Sequence, residues 1–155
     1  MNKSKILWTK ASWNPMTGCS KASAGCDHCY AADMARRLKG MGKKEYSNGF
    51  TPTCHPQRLN EPLTWKEPTL VFVCSMGDLF HPMVENDFIE KVIETIKKTP
   101  QHTYQILTKR PSRMAQFFTD HPIPDNVWVG TSVENVAVLH RIETLKTIYT
   151  PRRFL

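Results

Sequence analysis

The sequence predicts an α/β fold built around a parallel sheet, and three observations carry that expectation. The second half alternates short apolar runs with longer amphipathic ones, which is the pattern of βαβ units. Its first apolar run, Thr69-Leu-Val-Phe-Val-Cys74, is continuous rather than alternating, as a strand covered on both faces should be. The chain has 155 residues, the size of one domain, whereas a closed β/α barrel usually needs about 250. The expectation from these residues is a single domain over 1–155 with βαβ units on a parallel sheet.

Each element follows from local pattern. Residues 13–31 form a loop rich in Cys, Gly and Ser, and a helix runs from Tyr30 to about Lys39. Residues 40–68, rich in Gly, Pro, Lys and Asn, read as a long irregular excursion. The βα repeats occupy 69–155. After the strand at 69–74, residues 87–98 set Phe88, Ile89, Val92, Ile93 and Ile96 on one helical stripe. Asp87 or Asn86 is placed to cap that helix, Lys97 and Lys98 suit its C-terminal end, and Pro100 stops it. Thr103–Thr108 is the next strand, Pro111 opens a short helix to about Phe118, and 126–132 is another strand. Residues 135–148 bring Val138, Leu139, Ile142, Leu145 and Ile148 near one face of a further helix. Arg152–Leu155 reads as the start of one more strand. A parallel strand without its covering helix is unusual, so the chain reads as a truncated form of something longer.

Composition narrows the function classes. Hydrophobic residues make up 40% and charged residues 23%, ordinary for a soluble globular protein. No apolar run approaches the roughly 18 residues of a membrane helix. The N-terminus has lysines but no long apolar stretch of a secretory signal. The expectation is a cytoplasmic protein with no membrane partner. Lys and Arg total 21 against 14 Asp and Glu, a net charge of +7 that suits a polyanionic partner such as nucleic acid, or simply a solvated basic surface. Arg36, Arg37, Lys39, Lys43 and Lys44 form the densest basic patch. Trp8, Trp13 and Trp65 read as core or rim packing rather than stacking platforms. Five cysteines in a reducing compartment read as ligands or core residues rather than disulfides.

The sharpest signal is Trp13-Asn-Pro-Met-Thr-Gly-Cys19-Ser-Lys-Ala-Ser-Ala-Gly-Cys26-Asp-His-Cys29-Tyr30, with the spacing C-x6-C-x2-C. Cys26 and Cys29 stand three apart at a loop-to-helix boundary and can aim sulfur at one metal. Cys19 reaches it from a loop freed by Gly18 and Gly25. Thiolates suit iron–sulfur clusters and zinc. Three protein ligands on a [4Fe-4S] cluster leave one iron open for a cofactor. The helix after Cys29 would turn its positive end toward such an anionic group. Zinc is the rival: Cys26, Cys29, Cys54 and His55, or His28 with the three cysteines, make possible tetrahedral sets. Spacing alone leaves both metals open. His55 and His81 read as surface or substrate-side residues.

Five stretches, Trp13–Ala31, VFVCSMGDLFHPMV (71–84), YQILTKRPSRM (104–114), VWVGTSVEN (127–135) and RRFL (152–155), resemble in order the phage Gp37/Gp68-like (DUF5131) three-cysteine-motif family, which is related to radical SAM enzymes. The resemblance implies a partial barrel of radical SAM type, with Cys19, Cys26 and Cys29 on a [4Fe-4S] cluster and S-adenosyl-L-methionine (SAM) on its open iron. It implies reductive cleavage of SAM to modify a substrate, for which a nucleic acid or nucleotide is one candidate, and a partner protein as company. The alternatives are a zinc-stabilised nucleic-acid-binding module without catalysis, or an inactive family fragment. In radical SAM proteins the cofactor lies across the C-terminal ends of the strands. The resemblance therefore suggests Asp78 for the SAM ammonium, Lys109 or Arg110 for its carboxylate, and Ser132, Glu134 and Asn135 for its ribose or methionyl group. Turn-forming and helix-capping roles compete at each of these positions. The first cysteine gap is longer than the common radical SAM spacing C-x3-C-x2-C, and Cys74 stands where a polar residue is expected.

Overall fold

A computed structural model describes residue 4, residues 6–150 and residues 152–155. Five strands form one parallel sheet: β1 (Ala11–Trp13), β4 (Leu70–Val73), β5 (Thr103–Thr108), β6 (Val127–Thr131) and β7 (Arg153–Phe154), hydrogen-bonded in that order. Among the described residues β1 and β7 are its edges, and the sheet they bound is not closed into a barrel. β2 (Met16–Thr17) and β3 (Thr53–Cys54) pair antiparallel as a small separate ribbon. The described residues also form four α-helices: α1 (Tyr30–Gly40), α2 (Asn86–Lys97), α3 (Pro111–Asp120) and α4 (His140–Thr147).

Register explains the core. Val71 lies beside Tyr104 and Tyr104 beside Val127; Val73, Ile106 and Val129 form the next row. Side chains alternate faces along a strand, so these six share one face, and all are buried. They join Phe88, Ile89, Val92, Ile93 and Ile96 of α2, Met114 and Phe117 of α3, and Leu145 of α4 in one continuous core. Burying a side chain of this size contributes roughly 1.5–3 kcal/mol. The opposite face carries Phe72, Gln105, Leu107, Trp128 and Phe154.

Several local expectations are corrected. Neither Asn86 nor Asp87 caps α2. Glu85 holds that position, with extended φ and ψ and no side-chain cap bond. The expected helix at 135–148 is broken into a 3-10 turn at Val136–Val138 and then α4. Leu139 sits at the break and is 49% exposed. The excursion at 40–68 is not featureless: three 3-10 turns and β3 punctuate it. Strand β1 has only three residues and gave no periodic signal. Trp13 and Trp65 are buried, whereas Trp8 is half exposed. Among the described residues no helix is long and apolar enough to cross a membrane.

Candidate functional site

The cysteine loop is fixed where it enters and where it leaves. At its entry, Gly18 has φ +86°, a left-handed conformation that L side chains resist. Its N–H donates to the Met76 carbonyl at 2.8 Å, and Cys19 N–H donates to the Phe50 carbonyl at 3.0 Å. A Cβ at Gly18 would collide with the Thr51 carbonyl, and one at Gly77 would meet Met16 Sδ at 2.6 Å and Gly18 O at 2.8 Å. Two glycines therefore let the loop thread between residues 50–51 and the turn after β4. At its exit, Cys29 is the N-cap of α1, its carbonyl accepting from Ala32 and Asp33 N–H. Tyr30 ties the start of that helix to the sheet, its hydroxyl donating to Ser75 O at 2.5 Å.

Cys19, Cys26 and Cys29 line two adjoining cavities. One, of about 170 Å³, lies on the loop side with Ser20, Lys21, Ala32 and Phe50. The other, of about 160 Å³, lies over the strand ends, where Ser75, Gly77 and Asp78 follow β4, Thr108 and Lys109 end and follow β5, and Ser132 follows β6. The C-terminal ends of parallel strands are where α/β folds place function.

Two cations reach the cysteine loop. Lys109 Nζ lies 3.6 Å from Cys26 Sγ and 3.7 Å from Glu134 Oε1. Arg110 Nη2 donates to Ser20 O at 3.0 Å and to Ser20 Oγ at 3.1 Å, and its guanidinium acts on Cys19. Its Nε is buried and has no hydrogen-bond partner among the described residues. Burial works against ionisation of the Cys26 thiol, but N–H groups of Ala22 and Ser23 and the Lys109 charge outweigh it and bring its pKa below the ordinary thiol value. Burial and the nearby Asp78 raise Cys19 despite Arg110.

The other expected SAM contacts have tasks within the chain. Asp78 is buried, and its carboxylate accepts from Thr108 Oγ1 at 2.7 Å, Phe80 N–H at 3.0 Å and Lys109 N–H at 3.1 Å. It pins the turn after β4 to the end of β5. Glu134 accepts from Ser23 Oγ and from Arg141 Nη1 at 3.0 Å, so it latches the cysteine loop to the end of β6. Asn135 caps the 3-10 turn after it, accepting from Ala137 N–H at 3.0 Å, and is not among the cavity-lining residues. Ser132 does line the cavity, and its carbonyl accepts from Arg141.

His81 and His55, expected in surface or substrate-side roles, are both buried, which rules out the surface one. His81 Nδ1 accepts from Met83 N–H at 3.1 Å, so Nε2 carries the proton and donates to Ser20 Oγ at 2.8 Å. His55 Nε2 pairs with Thr17 Oγ1 at 2.8 Å. Neither His55 nor Cys54 lines the cysteine cavities, and His28 is exposed and absent from both. Cys74 lines the strand-end cavity but is buried with φ 60°, and burial drives its pKa far up, so its thiol stays protonated. Asn14 was missed: its Oδ1 accepts from Met76 N–H at 2.9 Å and fixes the turn after β4. Nothing in the bare order Trp-Asn-Pro marks that role.

Among the described residues no three His, Cys, Asp or Glu side chains converge closely enough to hold a single metal ion. Cys19, Cys26 and Cys29 nevertheless line the same two cavities, with Lys109 near Cys26 and the Arg110 guanidinium near Cys19. No curated protein and no solved structure matches the chain. A family model described as a protein of unknown function (DUF5131) matches residues 3–155. The chain therefore belongs to the DUF5131 family.

Proposed function

We propose that the protein is an iron–sulfur protein of radical SAM type, with Cys19, Cys26 and Cys29 as the ligands of a [4Fe-4S] cluster. The observation that carries this reading is the placement of all three thiols at the C-terminal ends of parallel strands, between two cavities, with Lys109 and Arg110 beside them. When bound, such a cluster supplies one electron for reductive cleavage of a sulfonium S–C bond of SAM, giving methionine and a carbon radical that takes hydrogen from the substrate.

The chain's own residues have distinct tasks in this reading. Lys109 and Arg110 offset the negative charge of the thiolates. Glu134 holds the cysteine loop against β6 through Ser23 and Arg141. Asp78 fixes the turn that carries Gly77, whose missing side chain lets the loop close over the strand ends. The cavity wall formed by Phe72, Leu107 and Ala31 limits water at the cluster. Arg36, Arg37, Lys39, Lys43 and Lys44 are exposed on α1 and the turn after it. A polyanionic substrate, a nucleic acid or nucleotide, matches that face.

Anaerobic reconstitution of the full chain with iron and sulfide tests the reading. A brown protein that cleaves SAM under a low-potential reductant supports it. Cys29→Ser should abolish iron retention, whereas Cys54→Ser should leave it unchanged. A colourless protein that takes up about one zinc, and releases it on Cys54→Ser, would instead favour a zinc-stabilised nucleic-acid-binding module.

A further inference from the structure

Helix α1 leaves one edge uncovered beside the cysteine site. Its inner face packs Ala31, Ala35 and Leu38 against Tyr46 and Met76. Residues three and four apart share a helix face, so Tyr30, Met34, Arg37 and the C-cap Met41 form one outer row. Tyr30 is 58%, Met34 43% and Met41 70% exposed. Single exposed apolar side chains are ordinary, but these three stand in line. Tyr30 is at the end of the row nearest the site, and it lines the strand-end cavity together with the three cysteines. Its hydroxyl is tied to Ser75 O, so the ring is held in place while more than half of the residue stays open to solvent.

The charge around the row says what covers it. Residues 34–44 hold Arg36, Arg37, Lys39, Lys43 and Lys44 and no acidic residue, and all five cations are exposed. Arg36 pairs with Asp33 at 3.2 Å. Arg37, Lys39, Lys43 and Lys44 make no ion pair among the described residues. On α2, by contrast, Lys91 and Lys97 are interspersed with Asp87, Glu90 and Glu94. Unpaired cations gathered on one face suit a polyanion. The apolar row among them discriminates between polyanions. A duplex keeps its bases stacked inside and would bring only phosphates to α1, leaving Tyr30, Met34 and Met41 in water. An unpaired strand offers phosphates and open base faces together.

We propose that an unpaired nucleic-acid strand lies along the outer edge of α1, with its phosphates on Arg37, Lys43 and Lys44 and a base stacked on Tyr30 at the mouth of the strand-end cavity. Lys39, on the far flank of the helix, adds only to the field. From Tyr30 to Met41 the row runs roughly 16 Å at about 1.5 Å per residue, long enough for several stacked nucleotides. That the strand is the substrate rests on the function proposed above; that it binds along this edge does not, because no residue of the row is a cluster ligand.

The test follows the fluorescence anisotropy of labelled oligo(dT) and oligo(U) of about 12 nucleotides, and of a duplex of equal length, with the full chain before and after anaerobic reconstitution. At least one single strand is expected to bind saturably, about tenfold or more tighter than the duplex. Tyr30→Ser should weaken it about tenfold, while Tyr30→Phe, which keeps the ring, stays near the parent. Arg37→Ala and Lys43→Ala, both at exposed positions, should each lower the slope of log affinity against log salt by about 0.7. The same charge loss on α2, Lys97→Ala with Lys98→Ala, should leave that slope unchanged. No saturable binding, a duplex bound as tightly, an equal loss from the α2 pair, or binding to phosphatidylserine vesicles in place of the strand would overturn the proposal. Strand binding by a chain that assembles no cluster would refute the iron–sulfur reading alone, and assembly without strand binding would refute this one alone.

Discussion

Lys109 Nζ stands 3.6 Å from Cys26 Sγ and 3.7 Å from Glu134 Oε1. The lysine is shared between the thiol and the carboxylate. A cation beside a cluster ligand favours the reduced, more negative state. Lys109→Met is expected to lower the midpoint potential of the reconstituted cluster by on the order of 100 mV, taking an effective dielectric near 20. Potentiometric titration followed by electron paramagnetic resonance reads the shift. An unchanged potential would mean that Lys109 does not face the cluster.

Gly25 and Glu134 form a second testable pair. A Cβ at Gly25 would lie 2.6 Å from Glu134 Cγ, so any side chain there pushes Glu134 off Ser23 and Arg141. Gly25→Ala should destabilise the chain, and Glu134→Ala in the same molecule should recover part of the loss. The coupling expected from urea unfolding is about 1 kcal/mol or more, since residues in contact are not additive.

Much of this architecture was legible in the sequence. The continuous apolar run at 69–74 and the stripe on 87–98 gave β4 and α2 within a residue or two, because a strand buried on both faces reads as an unbroken apolar run and a helix buried on one face keeps its period. β1 was not legible. Three residues cannot show a period, and its pairing partner Val71 lies sixty positions away. The cysteine spacing marked out the site, but spacing could not separate Asp78 as a ligand group from Asp78 as a turn tie. That distinction depends on Thr108 and Lys109, which only the parallel register brings close. The break before α4 was hidden because Leu139 fits the apolar period while pointing to solvent.

Asp78→Asn separates those two roles by stability. The amide can present only one oxygen to three donors, and its NH2 group must face at least one of them. The expected cost is about 2–3 kcal/mol, which lowers Tm by about 5–10 °C. Differential scanning calorimetry of the metal-free chain measures it. No change in Tm would mean that the carboxylate is not spent on the fold.

Tyr104 gives a pH dependence with a definite sign. Burial raises its phenol to about 12, although the hydrogen bond with Thr99 Oγ1 opposes this. The unfolded value is about 10. A raised acid pKa means that the neutral form is favoured in the fold, so its stability is intact below about pH 10 and is lost as pH climbs toward 12. Tyr104→Phe should flatten the fall in unfolding free energy across that window, as measured by urea denaturation at stepped pH.

The central claim is that three thiols at the strand ends share one inorganic core and leave one iron without a protein ligand. Mössbauer spectroscopy of the full chain reconstituted with ⁵⁷Fe, before and after addition of SAM, addresses it most directly. The account expects about four irons per chain, with one site shifting its isomer shift when SAM binds. Spectra that hold four equivalent, SAM-insensitive sites, or a chain that retains no iron at all, would contradict it.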